Sequence, residues 1–343
     1  MRRHDKKSDY MSRKCDNELK QLEEILTALY ANATNQVEAE FTDYAKKVQP
    51  LIEKKHDELV SGKITQAEYD LYIKKRVLEK ALYKAMIKTL TKTLVNTDAA
   101  AMAVVRGNLP YIVAQSYNFI QSLGWAAADK AGLSIGTFQI YNADSVQKLI
   151  KDNPRLLPFV DVPADKKWNM DRINKTITHS IMQGDDMRTV AKKIQGIAKM
   201  DENAAIRTAR TAMTCAENLG RDESFLSLQA KGIPVKKRWN AVLDSRTRFT
   251  HRLLNGTYAN AQGLFGTGIL DKDHLMRYPA DPNGEPQEVY NCRCRLDIVF
   301  SNDLIDHDND DDIYEQFMKE RDPKSYEALQ KRNYFAQHRI KGH

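Results

Sequence analysis

The sequence Trp239-Asn240-Ala241-Val242-Leu243-Asp244-Ser245-Arg246-Thr247-Arg248-Phe249-Thr250-His251 is followed, well downstream, by Asn291-Cys292-Arg293-Cys294-Arg295-Leu296. Around both stretches the texture is unlike the rest of the chain. Residues 235–242 and 288–300 hold short runs rich in β-branched and aromatic side chains, the composition of strands. Between them lie Asn255-Gly256, Gly263, Gly266, Gly268, Pro279, Pro282, Gly284 and Pro286, which mark turns and long irregular loops. Loops of that length in a compact domain tend to carry function. Two strands and long loops predict a small α+β unit.

Outward from this unit, helical periodicity dominates. Leu19, Leu22, Leu26 and Leu29 step by three and four, and Val37, Phe41, Tyr44 and Val48 continue the seam. Pro50 is expected to interrupt it, and Ser61-Gly62 to end the following stretch. Thr65 with Glu68 reads as a capping box opening a helix that meets no Gly or Pro before Asp98. Residues 100–165 read as mixed, punctuated by Gly107, Pro110, Gly124, Gly132 and Gly136. Pro154, Pro158 and Pro163 suggest an extended connector and a domain boundary. Beyond it, Ile173, Ile177 and Ile181 define one helix, and Val190, Ile194 and Ile197 the next, capped by Asp185-Asp186. Asp201 is expected to cap a further helix, with Gly220 ending or bending it. The fold class is therefore α+β and mainly helical. An extended helical partner-binding region (1–165) precedes a compact α+β module with a small sheet (166–300), and an acidic linker and tail (301–343) follow.

The composition narrows the classes. The 343 residues carry 42% hydrophobic and 29% charged side chains, which suits a globular protein. Fifteen glycines, ten prolines and four cysteines exclude a collagen-like chain and a dense disulfide framework. The start, Met1-Arg2-Arg3-His4-Asp5-Lys6-Lys7, has no apolar core behind its charges, so no secretory signal is expected. The uncharged run 107–128 contains Asn108, Gln115, Ser116, Asn118, Gln121 and Ser122, too many polar groups for a bilayer span. A soluble protein in a reducing compartment follows. The net charge is +7; the positive excess spreads over the first 250 residues, and the end of the sequence is acidic. Lys80, Lys84, Lys88 and Lys92 step by four, opposite Leu78, Leu82, Met86 and Leu90. The row is either a solvated face or a DNA contact.

The signatures then converge on a family. Trp239, Asp244-x-Arg246-Thr247-Arg248-x-x-His251, Gly256, Pro279-x-Asp281 and Asn291-Cys292-Arg293-Cys294 occur in the order seen in the minor head proteins of tailed bacteriophages, whose shared module takes its name from the F protein of phage Mu. Arg210-Thr211, Asn218-x-Gly220 and Gly232 also resemble it, from about residue 170 to 300. Ala212 departs from a position that is often acidic, and Ala280 from one that is often glycine. The resemblance implies a structural role in head morphogenesis rather than an enzyme. It implies a portal protein and a major capsid protein as partners, with packaged double-stranded DNA as a further contact. The implied location is the virion, in the head interior or at the portal vertex, after assembly in the host cytoplasm.

The residues leave sharper chemistry open. Cys292 and Cys294 face one way if they lie on a strand, and with His251 or His274 they form a ligand set for zinc. Two buried apolar thiols, or a strained disulfide, are the alternatives. Asp244, Arg246 and Arg248 read as a cap and ion pairs, with Asp244 capping the helix that carries His251. Alternatively, Arg246, His251 and His274 make a nuclease centre, or Arg246, Arg248 and Arg252 hold a phosphate. The run from Asp303 to Asp312 fails the calcium-loop pattern, with Asp311 where glycine belongs and Phe317 where glutamate belongs.

Overall fold

Apolar residues repeating every three or four positions drive the first helix, α1 (Tyr10–Val60). Leu22, Leu26, Tyr30, Val37, Phe41, Tyr44, Val48 and Ile52 form its buried stripe. The computed structural model describes residues 9–133, 137–153, 156, 166–183, 185–266, 275–300, 309–324 and 326–327. The helix does not stop at Pro50. The ring sits on the exposed side, while Val48 and Ile52 anchor the chain in the core on either side of it. That packing outweighs one lost backbone bond. The helix ends before Gly62, whose φ of 72° supplies the left-handed turn.

Thr65 caps α2 (Gln66–Ile73) in the expected capping box with Glu68. The single long helix expected next is broken. A π-turn over Lys74–Leu78 and the residues Glu79 and Lys80 separate α2 from α3 (Ala81–Lys130). The inserted turn rotates the following face. Tyr83, Met86, Ile87, Leu90 and Leu94 are buried, and Leu82 is exposed. Gly107, Pro110 and Gly124, expected as punctuation, lie inside α3.

The next helices are α4 (Ala143–Asp152), capped by Asn142, α5 (Lys166–Met182) and α6 (Met187–Ala230). Asp186 accepts the Thr189 N–H at 2.7 Å and starts α6. Asp201 caps nothing; it lies within α6 and takes Arg172 at 3.0 Å. Gly220 does not end α6 either. A Cβ there would fall 2.3 Å from the Val113 carbonyl and 2.9 Å from the Tyr117 nitrogen, so glycine permits a close crossing of α3 and α6. The proline connector (154, 158, 163), Gly136 and Gly184 lie outside the described residues.

Two compact units divide the chain. One takes residues from 22–104 and 161–206, and its described residues form helices and the turns between them. Its core joins α1, α2, the start of α3, α5 and the start of α6 through Phe41, Tyr44, Ile73, Leu90, Ile177 and Ile194. The apolar seam of α1 is thus occupied by the chain's own core. The other unit takes residues from 1–21, 105–160 and 207–343. In it, β1 (Val235–Asn240) pairs antiparallel with β2 (Arg295–Phe300), with Trp239 opposite Leu296. Short helices α7 (Phe249–Leu254) and α8 (Pro286–Val289) lie in the long loops between them.

Several polar residues of 107–128 are internal, and two of them bridge to other segments. Asn118 exchanges two hydrogen bonds with the Tyr141 backbone, both 2.8 Å, and Gln121 donates to Ser224 Oγ at 2.9 Å. No helix among the described residues is long and apolar enough to cross a membrane. The expected C-terminal tail is partly a packed helix, α9 (Asp310–Arg321). Three aspartates occupy its first turn, where the helix dipole favours them. Tyr314 and Phe317 are buried against Tyr10, Phe119, Trp125 and Phe138. Residues 303–308 of the acidic run are outside the described residues.

Candidate functional site

Trp239 is the fixed point of the α+β unit. It has no exposed surface. On one side β1 pairs with β2; on the other, the Trp239 N–H donates to Thr257 O at 2.9 Å and Trp239 O accepts from Gly256 at 2.8 Å. Gly256 bends this return with a φ of 80°. The indole stands edge-on to His251 and Phe265, both 5.3 Å away between centroids.

The Asp244-to-Arg248 loop folds on itself. Asp244 accepts from the Arg246 N–H at 2.9 Å and from the Thr247 hydroxyl at 3.1 Å. It takes both terminal nitrogens of Arg293, at 2.5 and 2.6 Å. This fork holds the Asp244 carboxyl well below the usual carboxylate range. Asp244 therefore does not cap α7, which begins after Arg248 without a side-chain cap. Arg248 donates to the Tyr290 carbonyl rather than to a carboxylate. Arg252 donates to Thr247 O and Asp244 O, and the Arg246 side chain is 60% exposed.

Opposite this loop, Asn291 adopts a left-handed conformation (φ 57°), and its N–H donates to Thr211 Oγ1 at 3.0 Å. Cys292 and Cys294 follow, just before β2 rather than within it. Both are buried free thiols. His251 Nδ1 lies 3.8 Å from Cys292 Sγ and 3.3 Å from Cys294 Sγ. His251 Nε2 lies 2.9 Å from Glu288 Oε2, off the line of a good hydrogen bond. Burial pushes the Cys292 thiol up, but hydrogen bonds with Cys294 and His251 outweigh it and hold Cys292 well below the ordinary thiol range. The bond with Cys292, and then burial, push Cys294 well above it.

Of the four expected metal ligands, three meet. His274 lies outside the described residues. His251 is 2% exposed. A phosphodiester cannot reach its ring from solvent without opening the site, which is no arrangement for a nuclease base. Pro279 and Asp281 shape a neighbouring loop. Asp281 accepts from Arg277 N at 3.0 Å, Arg277 Nε at 3.1 Å and Asn283 Nδ2 at 3.0 Å. Ala280, between them, is buried with a φ of 63°, a left-handed backbone that suits glycine. Lys80, Lys84, Lys88 and Lys92 are all exposed.

Several organising residues were not singled out from the sequence. Arg221, 1% exposed, takes Asp9 at 2.9 and 3.0 Å, Glu217 at 3.3 Å and Ser12 Oγ at 3.1 Å. Buried Lys237 donates to Asp222 at 2.7 Å. Burial pushes the Asp222 carboxyl up, and Lys237 opposes it. The i, i+4 spacing of Glu217 and Arg221 was the one local signal.

Residues 171–297, from α5 into β2, match the family described as Phage Mu protein F like protein. Over that segment, about a third of its length, the chain is similar to the Phage Mu F-like family. Over 180 residues it is 28% identical to the minor head protein GP7 of Bacillus phage SPP1, covering 50% of this chain and 54% of that protein. Over 128 residues it is 26% identical to the NAD(+)--arginine ADP-ribosyltransferase EFV of Enterococcus faecalis, covering 36% of this chain and 25% of that one. The chain thus spans about half the length of the first relative and a quarter of the second. No solved structure matches it. The signature residues of the Phage Mu F-like segment, Asp244, Arg293, Asn291 and Asp281, are all engaged inside the unit.

Proposed function

We propose that this chain is a minor head protein of a tailed bacteriophage, a fitted structural part of the head rather than an enzyme. The observation that carries the reading is the use made of the family's polar residues. The Asp244–Arg293 fork closes the loop before α7 onto the segment before β2. The polar side chains brace loops against one another, as a part with a fixed shape requires. The Phage Mu F-like segment and the minor head protein relative support the same reading.

In this reading residues 166–300 are the family part. Residues 1–165 and 301–343 face partners, the portal protein and the major capsid protein, at the portal vertex or in the head interior. Partner contacts use exposed faces, because the α1 seam is already buried. One such face carries Lys80, Lys84, Lys88 and Lys92, which we assign to packaged DNA. Host cytoplasm is where assembly takes place.

Mass spectrometry of gradient-purified, DNA-filled particles is expected to find the chain at low copy number, and deletion of its gene to reduce infectious heads. A chain found only in the unassembled fraction, with a normal titre after deletion, would refute the role. For the DNA face, neutralising each lysine should reduce the slope of log affinity against log salt by about 0.9. An unchanged slope would return the row to a solvated surface.

A further inference from the structure

We propose that Cys292 Sγ, Cys294 Sγ and His251 Nδ1 form a binding site for a single zinc ion, which ties α7 to the segment entering β2. This goes beyond the head role and does not depend on it.

The argument begins with distance. The three atoms all lie within 4.8 Å of one another, and the two nitrogen-to-sulfur separations are 3.8 and 3.3 Å. A tetrahedral zinc with bonds of about 2.3 Å to sulfur and about 2.0 Å to nitrogen has nitrogen-to-sulfur edges of about 3.5 Å. The two observed nitrogen-to-sulfur separations bracket that edge.

Hydrogen-bond accounting points the same way. With Nε2 protonated toward Glu288, Nδ1 offers one lone pair, yet two thiols converge on it. A single cation engages both sulfurs and the ring nitrogen together. Two thiolates and an imidazole are soft donors that favour zinc over magnesium or calcium.

The surroundings suit a metal-bound histidine. Glu288, itself buried, lies 2.9 Å from the far ring nitrogen and accepts the Thr250 hydroxyl at 2.8 Å. The negative charge this close to the far nitrogen favours a proton there, which leaves Nδ1 facing the ion. Trp239 Nε1 is buried with no conventional hydrogen-bond partner, beside Cys294. An indole N–H in that place favours a sulfur bearing negative charge.

The test uses the full chain. Protein purified without chelator is analysed for metal, stripped, and titrated with zinc and with cobalt(II). The expected result is a single zinc per chain and, with cobalt, a sulfur-to-metal charge-transfer absorption that zinc abolishes. Cys292→Ser and Cys294→Ser should lose both, and Cys15→Ser should keep both. Should the cysteine variants fail to fold, Glu288→Gln decides the matter: it leaves all three ligands in place and should weaken zinc binding about 10-fold. Folded wild-type chain that takes up neither metal would overturn the site. So would uptake that Glu288→Gln, Cys292→Ser and Cys294→Ser all leave unchanged.

Discussion

The side-chain oxygen of Asn218 accepts the backbone N–H of Leu296 at 2.8 Å, while its amide donates to the carbonyls of Cys294 at 3.1 Å and Pro279 at 2.9 Å. One helix residue thereby satisfies three backbone groups on two other segments. Asn218→Ala removes all three partners in a site without solvent access. Each orphaned buried group costs about 1–3 kcal/mol, and partial relaxation should leave a net loss of about 3 kcal/mol. Urea unfolding followed by Trp fluorescence measures it. A loss below about 1 kcal/mol would show that the three groups find other partners.

Glycines inside helices look alike in a sequence, but their surroundings separate them. Gly220→Ala places a methyl 2.3 Å from the Val113 carbonyl, a backbone atom that cannot swing aside. It should destabilise by about 3 kcal/mol. Gly107→Ala meets nothing within 4 Å and should stabilise by about 0.5–1 kcal/mol through helix propensity alone. Thermal unfolding of the two variants side by side should move in opposite directions.

At Ala280 two effects nearly cancel. Glycine relieves a left-handed strain of about 1–2 kcal/mol. It also forfeits a buried methyl worth about 0.8 kcal/mol and adds entropy to the unfolded chain. Ala280→Gly should therefore stay within about 1 kcal/mol of the parent. Ala280→Val adds volume and a β-branch at the same φ and should lose about 3 kcal/mol. Equal stabilities for the two variants would contradict the strained geometry.

Asp98 gives a pH signature. Burial lifts its carboxyl to about 6, the hydrogen bond from Tyr30 (2.6 Å) restrains the rise, and the charge of Asp201 adds to it. The folded state holds a proton that the unfolded chain releases near pH 3.9. Its contribution is full below about pH 4 and is lost as pH rises through about 6, a change of about 3 kcal/mol. Paired carboxylates such as Asp244 act oppositely, so the parent must be compared with Asp98→Asn. The stability of the parent relative to Asp98→Asn should fall between pH 4 and 7. A flat difference would place the Asp98 pKa near its ordinary value.

Much of the fold was legible because periodicity records which face is buried. The Ile173, Ile177 and Ile181 face, the Thr65 capping box and the Trp239 and Leu296 strands all formed as read. Helix ends were less legible. Pro50, Pro110 and Gly220 are breakers by local propensity, and tertiary packing overrode each of them. The break near Glu79 had no Gly or Pro to announce it, because a π-turn is made by a shift in hydrogen bonding alone. At the site, Cys292 and Cys294 do converge on His251, but from the segment before β2 and not from the strand that their spacing suggested. Glu288 and Asn218 owe their positions to segments far away in sequence, and no local pattern reports that. The discontinuous make-up of the two units was hidden for the same reason.

The aromatic contacts of α9 bear on when this protein can fold. Tyr314 packs against Tyr10, so a residue at the start of α1 waits for one made about 300 residues later. At about 5–20 residues per second, a ribosome takes tens of seconds to cover that gap. The unit that houses Trp239 cannot close its hydrophobic interior before α9 has been made. Until then, its unfinished apolar surfaces are open to chaperones and to neighbouring chains.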